Sequence, residues 1–158
     1  MKIEYREGNL FLGGDVRFLI HCCNAQGRMG SGFAKELRER YPGAYLAYDD
    51  AHRTNGLTPG QIVPYTDPHD GRTIFNLIGQ RHYGYDGKRY VTYDGLVDGF
   101  EALDELAGDL GMDKLFMPVL GCDLAGGKWS IVSSIIETHS RNYQPVVYLL
   151  PGKKITDY

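Results

Sequence analysis

The sequence predicts one α/β domain built on a central, mainly parallel sheet with helices on both faces. Two patterns carry that expectation. Short apolar runs are bounded by glycine, proline or polar residues, and between them apolar residues recur at helical spacing. The length agrees: 158 residues, 42% hydrophobic and 23% charged, can bury one core without metals or disulfides, so a single domain over 1–158 is expected.

Residues 2–6 are an edge-strand candidate, and Phe18-Leu19-Ile20 is the first buried strand. Ser31 is placed to cap a helix that carries Phe33, Ala34, Leu37 and Tyr41, and residues 44–53 suggest a shorter helix. Ile62-Val63 and Ile74-Phe75-Asn76-Leu77-Ile78 read as the next strands. Behind Asp94 as a cap, Leu96, Val97, Phe100, Leu103, Leu106 and Leu110 trace one apolar stripe. Leu115-Phe116-Met117-Pro118-Val119 is a strand, Ile131, Val132, Ile135 and Ile136 mark a helix, and Val146-Val147-Tyr148-Leu149-Leu150 closes the sheet. Strands separated by helices pair in parallel, because the crossover returns the chain to the same end of the sheet.

The net charge of −3 announces no basic face for a nucleic-acid backbone. Cys22, Cys23 and Cys122 make a poor disulfide framework and are too few for structural zinc, while His52, His69 and His139 lack metal-ligand spacing. No metal and no cofactor are therefore expected. The first residues, MKIEYREGNLF, lack the apolar stretch of a signal peptide and no run approaches membrane-spanning length, which predicts a cytoplasmic protein with no membrane partner.

In sheets of this kind ligands bind outside the carboxyl ends of the strands, so the loops there carry the chemistry. The first reads His21-Cys22-Cys23-Asn24-Ala25-Gln26-Gly27-Arg28-Met29-Gly30-Ser31-Gly32, with three glycines in its last six residues just before a helix. Such a loop lets backbone N–H groups face an anion. The second reads Gly121-Cys122-Asp123-Leu124-Ala125-Gly126-Gly127-Lys128-Trp129. It nearly spells a P-loop, but the lysine is one residue late and Trp129 stands where a magnesium-binding hydroxyl is needed, which argues against nucleoside triphosphate hydrolysis. Neither loop spells G-x-G-x-x-G, which disfavours a nicotinamide-dependent enzyme. Two glycine-rich loops facing one crevice would instead grip a diphosphate from both sides with local amides, independent of net charge.

Gly8-Asn9-Leu10, His21-Cys22-Cys23-Asn24 with Met29-Gly30-Ser31-Gly32-Phe33-Ala34, and Pro118-Val119-Leu120-Gly121-Cys122-Asp123-Leu124-Ala125-Gly126-Gly127-Lys128-Trp129 together closely resemble the macrodomain family. The similarity extends through Tyr41-Pro42, Gly60-Gln61-Ile62 and Ile74-Phe75-Asn76-Leu77 to the last strand. It points to the branch with yeast-type ADP-ribose-1″-phosphate phosphatases, terminal ADP-ribose-protein glycohydrolases and antitoxins that strip ADP-ribose from DNA. The resemblance implies a three-layer α/β/α fold with a mixed, mainly parallel sheet and an ADP-ribose cleft on top.

Carried over by position, Asn9 and Leu10 would meet the adenine, with Asn9 offering a carbonyl acceptor where the family has an aspartate. Asn24, Arg28, Met29, Gly30, Ser31 and Gly32 would surround the distal ribose, and Gly121, Cys122, Leu124, Ala125, Gly126 and Gly127 the diphosphate. The glycohydrolases of this branch use a lysine just after the strand corresponding to Ile74–Ile78 and an aspartate in the second loop. This sequence has Gly79-Gln80-Arg81-His82 and Ala125 there, and an arginine cannot act as an amine nucleophile. The phosphatase-like members carry a histidine at the end of the second strand, matched by His21, with Asp123 facing it. The expectation is therefore hydrolysis of ADP-ribose-1″-phosphate, with His21 and Asp123 as the catalytic pair. A hydrolase acting on ADP-ribosylated protein or nucleic acid, and a module that only binds ADP-ribose, remain open. Tyr83, Tyr85, Tyr90 and Tyr93, interleaved with Arg81, Lys88 and Arg89, are read as a loop over the cleft.

Overall fold

The computed structural model describes residues Met1 to Tyr158. Six strands form one sheet: β1 (Glu4–Glu7), β2 (Phe18–Asn24), β3 (Ile62–Thr66), β4 (Thr73–Gln80), β5 (Lys114–Pro118) and β6 (Gln144–Leu149), in the order β1-β6-β5-β2-β4-β3. All neighbours pair in parallel except β3 with β4. The antiparallel strand lies at the edge and carries Pro64, which has no N–H to give a ladder and is tolerated there.

Four helices cover the two faces: α1 (Gly32–Arg40), α2 (Pro42–Asn55), α3 (Tyr93–Leu110) and α4 (Trp129–His139). Because side chains alternate along each strand, Leu19, Ile74 and Ile78 pack with Leu37, Ala44 and Tyr48 beneath α1 and α2. Ile20 and Leu77 point the other way, to Leu96, Phe100, Val132 and Ile136 of α3 and α4. Each fully buried large side chain of this kind contributes roughly 1.5–3 kcal/mol. Two short 3₁₀ turns, Leu10–Leu12 and Ile155–Asp157, complete the chain. Trp129, at the start of α4, is buried with its indole N–H donating to the Tyr5 hydroxyl at 3.0 Å.

Several boundaries depart from the sequence reading. Asn55 ends α2, which starts at Pro42, because proline fits a first helical turn whose N–H groups are unpaired anyway. Thr92 rather than Asp94 is the N-cap of α3, and Ser31 is the N-cap of α1 without a side-chain capping bond. In the α3 stripe Leu106 is 48% exposed, while Leu96, Phe100 and Leu103 are buried. No helix is long and apolar enough to cross a membrane.

After β2 the chain turns to one side of the sheet to build β3 and β4, then crosses to the other side for β5. The β2/β5 boundary is thus a topological switch point, where the two outgoing loops diverge and leave a crevice.

Candidate functional site

A cleft of ≈ 380 Å³ opens at that point. One wall is the loop after β2, through Asn24, Arg28, Gly30, Ser31, Gly32 and Phe33; the other is the loop after β5, through Gly121, Asp123, Leu124 and Ala125. Gln80 at the end of β4 and Tyr83, Gly84 and Tyr85 beyond it close the third side. The backbone N–H groups of residues 30–33 donate to no protein atom, nor do those of residues 121–125. In the first run this follows from the start of α1, whose opening amides have no carbonyl a turn earlier and carry the positive end of the helix dipole.

The first loop is braced by side chains. Asn24 Oδ1 accepts from the amides of Gln26 (3.0 Å) and Arg28 (3.4 Å), and its Nδ2 donates to Arg28 O at 2.8 Å. Beneath it the buried Tyr48 hydroxyl donates to Asn24 O at 2.5 Å and accepts from Gly27 N at 3.1 Å. The second loop is braced by backbone. Gly126 N donates to Asp123 O (3.1 Å), Gly127 N to Gly121 O (2.8 Å), and Ala125 O accepts from both Tyr90 N (2.7 Å) and Val91 N (3.0 Å).

His21 does not stand at a strand end, because β2 runs on to Asn24. It is 1% exposed. Asn76 spends its Nδ2 on the carbonyls of Ala44 (3.2 Å) and Val63 (3.1 Å), which turns Oδ1 toward His21 Nε2 at 2.6 Å and makes that nitrogen the donor. Burial lowers the imidazole pKa to about 4, with the Asn76 bond offsetting part of the shift, so the ring is neutral near pH 7. The ring meets the cleft floor beside Phe33, 5.8 Å between centroids. Asp123 is exposed on the far wall and makes no hydrogen bond to His21, so the expected His21–Asp123 unit is not assembled.

No family model matches the chain. It is 29% identical over 136 residues to the ADP-ribose glycohydrolase OARD1 of Bos taurus, covering 86% of this chain and 82% of that protein. The DNA ADP-ribosyl glycohydrolase of Mycobacterium tuberculosis is 30% identical over 132 residues, 82% of this chain, which spans only 36% of that longer protein. A shorter stretch of 47 residues, 30% of this chain and 24% of the relative, is 47% identical to an ADP-ribose 1″-phosphate phosphatase of Aspergillus fumigatus. Among solved structures, a macrodomain protein from Streptomyces coelicolor superposes with a TM-score of 0.77 at 25% identity, covering 94% of this chain and 99% of that one. The chain belongs to the macrodomain family.

In this macrodomain ten of the positions singled out from sequence line the cleft: His21, Asn24, Arg28, Gly30, Ser31, Gly32, Gly121, Asp123, Leu124 and Ala125. Asn9, Leu10, Met29, Cys122, Gly126 and Gly127 do not. Asn9 caps the Leu10–Leu12 turn, its Oδ1 accepting from Phe11 N at 3.0 Å, and Leu10 and Met29 are buried in the core under α1 and α2. Cys122 packs against the core beneath α3 and α4, where burial pushes its thiol up to about 12. Gly126, at φ +73°, turns its open side to the backbone of Lys88 and Arg89, and Gly127 turns its own to Gly121 O. Both shape the loop from behind.

Sequence reasoning missed Gln80. Ending the strand at Ile78 hid it: β4 runs on through Gly79, with a register irregularity against β2, before Gln80 pairs with Asn24. It is Gln80, not the exposed Arg81, that reaches the cleft from this strand. Tyr48, the brace of the first loop, gave no signal beyond its helical position.

Proposed function

We propose that this macrodomain binds ADP-ribose in the cleft and hydrolyses the bond between the distal ribose and an attached group on protein or nucleic acid. The observation that carries this is the pair of unpaired amide runs, residues 30–33 and 121–125, on opposite walls of one cleft at the switch point. Such amides suit a diphosphate and need no net positive charge. Relatives matched over more than four fifths of this chain are named as glycohydrolases of ADP-ribose or ADP-ribosyl groups, which favours this substrate class.

The wall contains no lysine, and its one carboxylate is Asp123. An amine nucleophile is therefore replaced by water, with Asp123 as the base that takes its proton. The buried, neutral His21 shapes the floor. A second reading, release of phosphate from ADP-ribose-1″-phosphate, is favoured by the 47-residue match alone; the same amides would stabilise charge on phosphoryl oxygens.

Calorimetric titration should give a micromolar dissociation constant for ADP-ribose, about 8 kcal/mol. Turnover is then compared on ADP-ribosylated protein, an ADP-ribosylated oligonucleotide and ADP-ribose-1″-phosphate. Release of ADP-ribose from either macromolecule is the expected result, and Asp123→Asn should slow it about a hundredfold. Phosphate release alone would overturn it in favour of the second reading, and binding without turnover would leave a recognition module.

A further inference from the structure

The polar side chains at the head of the cleft are not equally free. Asn24 and Gln80 are register partners on β2 and β4. Asn24 has its side-chain carbonyl oxygen occupied by the Gln26 and Arg28 amides of its own loop. Gln80 is 8% exposed and its Nε2 donates to His82 O at 2.8 Å, which fixes the amide so that Oε1 points away from that contact. Oε1 itself has no protein partner. The one fully enclosed side-chain polar atom left without a partner is the Tyr143 hydroxyl, so Gln80 Oε1 keeps contact with solvent, and its residue lines the cleft. A cleft-lining residue nine-tenths buried, with its amide held in one orientation by its N–H and its acceptor without a protein partner, marks a position for a donor that the protein does not supply.

We propose that Gln80 holds the attacking water, accepting one of its O–H groups at Oε1 so that an oxygen lone pair faces the distal ribose carbon. This rests on the hydrolytic reading above. The carbon–oxygen bond from water forms as the bond to the departing group breaks. One water proton passes to the Asp123 carboxylate and from there to the departing group, and the second stays on the new hydroxyl. A carboxamide neither takes nor gives a proton near neutral pH, so Gln80 contributes orientation alone. The anchored donor half matters as much as the free acceptor, because an amide able to rotate would present N–H groups to the water for part of the time.

Gln80→Met keeps side-chain length and packing and removes the acceptor. Gln80→Glu keeps an acceptor there. Three readouts are taken on each folded variant: ADP-ribose affinity by calorimetry, single-turnover release of ADP-ribose, and its pH profile. Gln80→Met should bind ADP-ribose within about threefold of the parent and release it about a hundredfold more slowly. Gln80→Glu should recover at least a tenth of the parent rate and add a new acidic limb to the pH profile, where the carboxylate gains a proton and ceases to be a pure acceptor. A Gln80→Met variant that turns over like the parent, or that loses affinity and rate in step, overturns the proposal while leaving the hydrolase reading intact. Should the parent chain itself bind no ADP-ribose, or bind it without turnover, the hydrolase reading falls and this proposal with it.

Discussion

The two loops of the cleft present the same group, a run of unpaired amides, and are held in opposite ways. The loop after β2 hangs on the Asn24 carboxamide and the Tyr48 hydroxyl. The loop after β5 hangs on backbone bonds within itself and to residues 90 and 91, with Gly126 and Gly127 pressed against neighbouring backbone. Deleting a side-chain atom damages the first, and adding one damages the second. The contrast also tells which part is adjustable: a loop fixed by side chains can be retuned by substitution, whereas one fixed by main chain tolerates few.

The largest expected effect is on the second loop. Gly126 has φ +73°, and a Cβ there would lie 2.6 Å from Lys88 O. Gly126→Glu therefore pushes residues 88–89 off the loop and distorts the amide run of residues 121–125 from behind. ADP-ribose affinity should fall a hundredfold or more, with the far-ultraviolet circular dichroism of the fold retained. Parent-like affinity would mean that this loop does not meet the ligand.

Next is the floor between the loops. Burial holds the His21 pKa down at about 4, against the ordinary imidazole value of 6.5. Unfolding frees the ring to take a proton, so stability should drop by about 3 kcal/mol as pH falls through that interval and level off below it. Denaturant melts from pH 7 to pH 4 test this, and His21→Gln, which keeps a donor for Asn76 without an imidazole, should flatten the curve. An unchanged slope in that variant would remove His21 as the source.

Tyr48→Phe sharpens the account of the first loop. It frees Asn24 O and Gly27 N of their partner, and should cost about 1–2 kcal/mol in stability and weaken ADP-ribose binding several-fold. Full affinity would show that this loop needs no brace from α2. The smallest effect belongs to Gln26→Ala, which removes an exposed 3.2 Å contact from Tyr83 N to Gln26 Oε1. Thermal stability should change by less than about 0.5 kcal/mol, and the readout is faster amide exchange at Tyr83.

What was legible in the sequence was whatever periodicity and composition encode. The buried stripes of Leu96, Phe100 and Leu103 and of Val132 and Ile136, the glycine spacing of both loops, and the alternation that dictates a mainly parallel sheet all lie on the surface of the pattern. Less legible was where β2 stops. His21, Cys22, Cys23 and Asn24 mix polar and small residues that suit a loop equally well, and only β4 alongside, pairing through Asn24 with Gln80, extends the strand. That four-residue extension withdraws His21 from the cleft edge and brings Asn24 to it. Likewise, which side of a loop glycine faces the ligand depends on neighbours remote in sequence: Lys88 and Arg89 decide it for Gly126.

Trp129 is the chain's sole tryptophan, and it follows the second loop directly, with Lys128 N donating to the Tyr93 hydroxyl on one side and the indole donating to Tyr5 on the other. Its fluorescence is therefore a built-in optical gauge of that loop. Capture of a ligand by residues 121–125 transmits any shift through three residues to the indole, altering emission without a label. A constant spectrum across a calorimetrically proven titration would identify the loop as rigid and the recognition as lock-and-key.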